Sequence, residues 1–144
     1  MRQSIWVLSE DQISLSQLMA RFNVYIYKNT GQIKDYQYTA QLDITYDPIL
    51  ESGDILPLYR ILQECFQNSI KYSNANAFSL IVKSTKNDLL IQLKDNGQGT
   101  ELSQEVSDYG LNNIKKSAAE INMVVGFTSQ SGQDFMVQLK SYKI

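Results

Sequence analysis

Asp95-Asn96-Gly97-Gln98-Gly99 follows directly on the apolar run Leu89-Leu90-Ile91-Gln92-Leu93. A strand that ends on a carboxylate and two glycines sets one hydrogen-bond acceptor beside backbone bare enough for a flat ligand to approach closely. Taken alone, Asp-Asn-Gly is also an ordinary turn sequence. Two further elements accompany it, Glu64-x-x-x-Asn68-x-x-Lys71 upstream and Gly110-Leu111-Asn112-Asn113-Ile114 downstream. On a helix, Glu64, Asn68 and Lys71 fall at i, i+4 and i+7 and line up on one face. That line carries a carboxylate, a carboxamide oxygen and an ammonium. It suits a hydrated Mg²⁺ held through the Asn68 oxygen, with Lys71 on phosphate oxygens, because Mg²⁺ keeps most of its waters and takes only one or two protein oxygens. A solvated face with a Glu-to-Lys pair is the plain alternative for this helix. The three elements together point to a nucleotide site.

Periodicity supplies the elements that must position these groups. Ser14 to about Lys28 reads as a helix with Ser14 as N-cap and Leu15, Leu18, Met19, Phe22 and Ile26 at helical spacing. Tyr36 to Tyr46 alternates and is rich in Tyr, Thr and Ile, so a strand is expected there, closed by Asp47-Pro48. Pro57 is expected to open the next helix from its favoured first-turn position. Within that helix Leu58, Ile61, Leu62, Cys65, Phe66 and Ile70 form a core stripe, and the Glu64, Asn68, Lys71 line runs beside it. Phe78–Ser84 and Leu89–Lys94 are expected to pair across Lys86-Asn87-Asp88. Residues 100–109 are polar and aperiodic, which marks a loop. A helix from Gly110 to about Ile121 follows, and then a closing hairpin of Val124–Ser129 and Phe135–Lys140. This order predicts a two-layer α/β sandwich.

Composition narrows the chemistry. The chain has 144 residues, 43% of them hydrophobic and 19% charged, as expected of one domain with a real core. A net charge of -2 argues against nucleic acid as a main partner. No apolar run approaches the roughly 20 residues of a membrane helix, so no membrane contact is expected of this domain. There is no histidine, which excludes Ser-His-Asp and Cys-His hydrolases, His-ligated metals and a phosphorylatable histidine within this chain. No Gly-x-x-x-x-Gly-Lys-Ser/Thr loop occurs either. The single cysteine, Cys65, lies within the apolar stripe and reads as a buried structural thiol of a reducing compartment.

The three elements, in this order and spacing, resemble the catalytic ATP-binding domain of sensor histidine kinases, within the gyrase, Hsp90, histidine-kinase and MutL ATPase superfamily. Leu62-Gln63-Glu64-Cys65-Phe66-Gln67-Asn68-Ser69-Ile70-Lys71-Tyr72-Ser73 resembles the N box, Asp95-Asn96-Gly97-Gln98-Gly99 the G1 box, and Gly110-Leu111-Asn112-Asn113-Ile114 with Lys115-Lys116-Ser117-Ala118 the G2 segment of kinases with a short ATP lid. The coverage runs from about Ile55 to Leu139. The resemblance implies a mixed β-sheet with helices packed on one face. It implies that Asp95 accepts from the adenine amine, that Gly97 and Gly99 let the backbone approach the base, and that Asn68 ligates Mg²⁺. Glu64 would orient the attacking group or a water. Lys71 would meet phosphate oxygens, and Tyr72 would hydrogen-bond where the family usually has His or Arg. Gly110 and Leu111 would turn a helix N-terminus toward the phosphates, with residues 100–109 as the lid. The implied reaction passes the γ-phosphate to a histidine on separate dimerisation helices and from there to a response regulator, in the cytoplasm where ATP is.

Several positions depart from the family pattern. Asn122-Met123 stands where two glycines are common, and Gly132-Gln133-Asp134-Phe135 lacks the threonine that would support Asp95. The lid carries Glu101, Glu105 and Asp108 and no basic residue, and carboxylates facing a triphosphate lower affinity. The expected nucleotide Kd is therefore about 10⁻⁴ M, or about -5.5 kcal/mol. Ile5-Trp6 resembles the segment after the dimerisation helices, so residues 1–13 are expected to be the end of a preceding dimerisation helix or a linker and residues 14–144 to form the catalytic domain. A degenerate regulatory docking module and a serine kinase of the anti-sigma type remain as alternatives.

Overall fold

The computed structural model describes residues 12–71, 76–97, 111–129 and 135–141. Ten elements follow in order: β1 (Gln12–Ser14), α1 (Leu15–Thr30), β2 (Gln37–Ile44), β3 (Ile49–Glu51), α2 (Ser52–Lys71), β4 (Ala77–Ser84), β5 (Leu89–Asp95), α3 (Leu111–Glu120), β6 (Met123–Ser129) and β7 (Phe135–Ser141). Strands β2-β4-β5-β7-β6 form one five-stranded sheet, with β2 parallel to β4 and the other pairs antiparallel. The fold is the expected two-layer sandwich with a mixed sheet.

The sheet's alternation decides which face the helices cover. Phe78, Leu80 and Val82 on β4 meet Ile91 and Leu93 on β5 and Val137 and Leu139 on β7 in register, and all are buried. The intervening residues Ser79, Lys83, Lys94 and Lys140 point to the opposite face. Across the core, Leu15, Leu18, Met19, Phe22 and Ile26 of α1 are fully buried, as are Leu58, Ile61, Leu62, Cys65 and Phe66 of α2, while Ile70 is partly covered. The expected helical stripes therefore face this sheet. A fully buried leucine contributes roughly 1.5–3 kcal/mol, so these rows supply the main drive for layering.

The helix ends explain themselves locally. Ser14 Oγ accepts from the Gln17 backbone N–H at 3.1 Å, and Gln17 Oε1 accepts from the Ser14 N–H at 2.9 Å, a complete capping box. Asp47 accepts from both the backbone N–H and the hydroxyl of Ser16, which ties the start of α1 to the chain after β2. At the other end of α3, Asn122 adopts φ 57°, a left-handed conformation that asparagine tolerates better than most side chains. This accounts for an asparagine at a position where the family pattern has glycine.

Two expectations need correction, and one small sheet is new. Helix α2 starts at Ser52, so Pro57 lies inside it and does not open it. The chain leaves β3 directly into the helix, and Ile55, 2% exposed, packs that extra turn into the core. The strand expected over Tyr36–Tyr46 is shorter, Gln37–Ile44. The small antiparallel sheet of β1 and β3, with Ile13 opposite Leu50, was not anticipated, since three-residue strands leave too little alternation to read.

Candidate nucleotide site

Alternation along β5 delivers its last residue to the core face. Ile91 and Leu93 are buried, and Asp95, two residues further on, is 4% exposed at the end of the same row. Its register partners are Phe78 on β4 and Phe135 on β7, so the carboxylate sits between two aromatic residues. Asp95 Oδ1 accepts from the Gly97 N–H at 2.8 Å, which folds the chain back immediately after the strand.

Asn96, which sequence reading treated only as a turn residue, clamps that turn. Its Oδ1 accepts from the N–H groups of Asn76 at 3.1 Å and Ala77 at 3.0 Å, and its Nδ2 donates to Asn76 Oδ1 at 2.7 Å. The backbone N–H of Asn96 also donates to the Ala77 carbonyl at 3.2 Å. The end of β5 is thereby bound to the start of β4, and Asp95 stands on a fixed frame.

Above this end of the sheet lies the C-terminal half of α2. Asn68 is 3% exposed and Ser69 is fully buried, so Asn68 does not belong to a solvated face. Ser69 Oγ donates to the Phe66 carbonyl at 2.8 Å. Asn68, Ser69 and Asp95 are three of the four buried polar residues among the described residues. Burying a polar group costs about 1–3 kcal/mol unless it is partnered, and Ser69 and Asp95 are partnered by the Phe66 carbonyl and the Gly97 N–H. Cys65, also buried, has its thiol pushed up by burial first and then by the charges of Glu64 and Asp95. Both acidic groups thus act on one point between α2 and β5. The thiol is buried, as its place in the apolar stripe implied.

Glu64 is half-buried and opens elsewhere. It lines a cavity of about 480 Å³ between α2 and α3, together with Arg60, Gln67, Asn113 and Lys116, floored by Tyr25. Gln67 Nε2 donates to Tyr25 Oη at 2.6 Å. Asn68 and Asp95 are not among the residues lining this cavity. The structure therefore buries Asn68 and Asp95 away from this cavity and sets Glu64, one turn before Asn68, on the α2–α3 side. Leu111 opens α3 as expected, with its side chain in the core beside Ile114. Tyr72, Gly99, Gly110, the lid at residues 100–109, the turn at residues 131–134 and the segment containing Ile5-Trp6 lie outside the described residues, as does the side chain of Lys71.

The residues present suit a hydrated Mg²⁺ held by a single protein oxygen. Among the described residues no group of three His, Cys, Asp or Glu could cage a metal, and Asn68 supplies the one buried carboxamide on the helix face shared with Glu64. Mg²⁺ is held in this way when phosphates complete its shell.

Over 115 residues the chain is 29% identical to the sensor histidine kinase LiaS of Bacillus subtilis, covering 77% of this chain and 32% of that protein. It is 28% identical over 130 residues to the sensor histidine kinase LnrJ of the same organism, covering 90% of this chain and 30% of LnrJ. The chain thus spans about a third of the length of these curated relatives. Among solved structures, the catalytic domain of the histidine kinase ThkA aligns with a TM-score of 0.73 at 12% identity, covering 92% of this chain and 94% of that one. The Acinetobacter baumannii histidine kinase AdeS aligns at 0.70 and 13% identity, over 99% of this chain and 76% of that one. These likenesses show the fold, that of histidine kinase catalytic domains. Residues 53–143, which include α2, Asp95 and α3, match the family described as histidine kinase-, DNA gyrase B- and HSP90-like ATPases, and the chain belongs to that family.

Proposed function

We propose that this chain is the ATP-binding catalytic domain of a sensor histidine kinase, working in the cytoplasm and donating the γ-phosphate to a histidine on dimerisation helices outside residues 14–144. The burial of Asn68 and Asp95 carries this reading. Asp95 is the acceptor for the adenine amine, on a turn that Asn96 holds still. Gly97 and Gly99 let the base lie against the backbone. Asn68 offers its oxygen to Mg²⁺, which when bound neutralises phosphate charge. Lys71 and Tyr72 meet the nucleotide's polar oxygens, and Gly110 and Leu111 turn the N-terminus of α3 toward them.

Glu64, at the α2–α3 cavity, orients the attacking imidazole by accepting from its N–H. The imidazole's other nitrogen attacks the γ-phosphorus, the bond from phosphorus to the β,γ-bridging oxygen breaks, and ADP leaves. Catalysis of this kind rests on positioning and charge neutralisation. A response regulator then takes the phosphoryl group from the histidine.

Incubation of the chain with radiolabelled ATP and a separate histidine-bearing dimerisation segment tests the proposal. Label that is stable in alkali and lost in acid is the expected product, because phosphohistidine carries a P–N bond. Acid-stable label on serine would replace the reading with that of a serine kinase.

A further inference from the structure

Two tyrosine hydroxyls, those of Tyr36 and Tyr59, are buried without a hydrogen-bond partner. The Tyr59 hydroxyl lies between α1 and α2, where the nearby groups are Tyr25 and Arg21. The Tyr36 hydroxyl stands beside the proposed base site. Tyr36 immediately precedes β2 and packs against the core from the same face of that strand as Tyr38. Its ring meets Phe66 of α2 edge-on at 6.2 Å, and Phe66 meets Phe78 edge-on at 5.7 Å. Phe78 is the register partner of Asp95. Tyr36 therefore packs on the core face near the turn of α2 that carries Ser69, with Asp95 close enough for its charge to act on the phenol.

Among the described residues the phenol has no hydrogen-bond partner, although the Ser69 hydroxyl lies near it. Ser69 Oγ gives its own proton to the Phe66 carbonyl. Burial pushes the Tyr36 phenol up to about 12; the nearby Ser69 side chain opposes this, and the negative charge of Asp95 adds to it. A neutral O–H donor thus persists next to a carboxylate across the physiological range. An orphaned buried hydroxyl is unfavourable.

We propose that Tyr36 is a positioning residue for Asp95: its hydroxyl donates to the carboxylate when a base is bound, fixing the oxygen that accepts the exocyclic amine. The inference rests on the reading of Asp95 as the amine acceptor. It assigns to the residue before β2 a part in base recognition that the boxes on α2, β5 and α3 do not contain. The chemistry favours purines with an amine directed at Asp95, and Tyr36 acts only through that contact.

Tyr36→Phe keeps the ring packing on Phe66 and removes only the donor. The test measures calorimetric affinities of wild type and Tyr36→Phe for ATP, adenosine and purine riboside triphosphate, which lacks the amine, together with unfolding of both free proteins. The expected loss is about tenfold for ATP and adenosine alike, in line with one hydrogen bond to a charged group. The purine riboside nucleotide should bind both proteins equally, and the free variant should be as stable as wild type or more so. Equal ATP affinity in the two proteins overturns the inference while leaving the ATP site intact. An equal loss for all three ligands, or a less stable free variant, shows a structural role and also overturns it. If wild type binds neither ATP nor adenosine, the reading of Asp95 falls and this inference falls with it.

Discussion

Asn68 and Asp95 differ from most polar residues of this chain in being buried, 3% and 4% exposed respectively. On the proposed reading, in which Asn68 offers its oxygen to Mg²⁺, the residue should act through the cation. Asn68→Ala is expected to weaken ATP binding several-fold with Mg²⁺ present and hardly at all in its absence. Calorimetry with and without chelator checks this, and an equal loss in both conditions would place Asn68 elsewhere. The types and spacing of these residues were legible because a helix repeats every 3.6 residues and a strand every two. The support around them was not. Asn96 and Asn76 clamp the turn through bonds between residues 20 apart, and Tyr36, before β2, lies close enough to feel the charge of Asp95. Contacts so distant in sequence leave no local pattern.

Elements were legible where a cap or a long alternation marked them. Ser14 is the clearest case, since its hydroxyl and the Gln17 side chain each satisfy a backbone N–H at the start of α1. Ser14→Ala should cost about 1 kcal/mol of stability, measured as a lower urea midpoint with an unchanged slope. A cost near zero would mean that the Asp47 contacts to Ser16 hold the helix end by themselves. Pro57 misled for a physical reason. Proline is favoured in the first turn, but burial of Ile55 and the pairing of β3 with β1 draw the preceding residues into the helix as well. The first helical turn here was set by packing, and the proline was accommodated within it.

Across the whole molecule, the sandwich follows from apolar rows on α1, α2 and one face of the sheet, which is why the architecture could be read before the structure. The core also holds phenols and a thiol in their neutral forms. Burial is the leading cause in each case: it raises Tyr25 and Tyr38, takes Tyr36 and Tyr59 up to about 12, and raises Cys65. Their ordinary values are 10.0 for tyrosine and 9.0 for cysteine. The unfolded chain therefore releases these protons at lower pH than the folded one, so stability falls as the pH rises from about 9 through about 12. Urea midpoints measured between pH 8 and pH 11 should decline steadily above about 9, and Tyr36→Phe should decline less steeply. A flat midpoint over that range would contradict the burial of these groups.

The central claim is an adenine nucleotide site built on Asp95, and titration of ATP into the purified chain by calorimetry, with Asp95→Asn alongside, tests it most directly. The account predicts saturable binding with a Kd of about 10⁻⁴ M and a loss of about tenfold or more in Asp95→Asn, the scale of a hydrogen bond to a charged acceptor. Saturable binding that Asp95→Asn leaves untouched, or no binding in either protein at millimolar ATP, would contradict it.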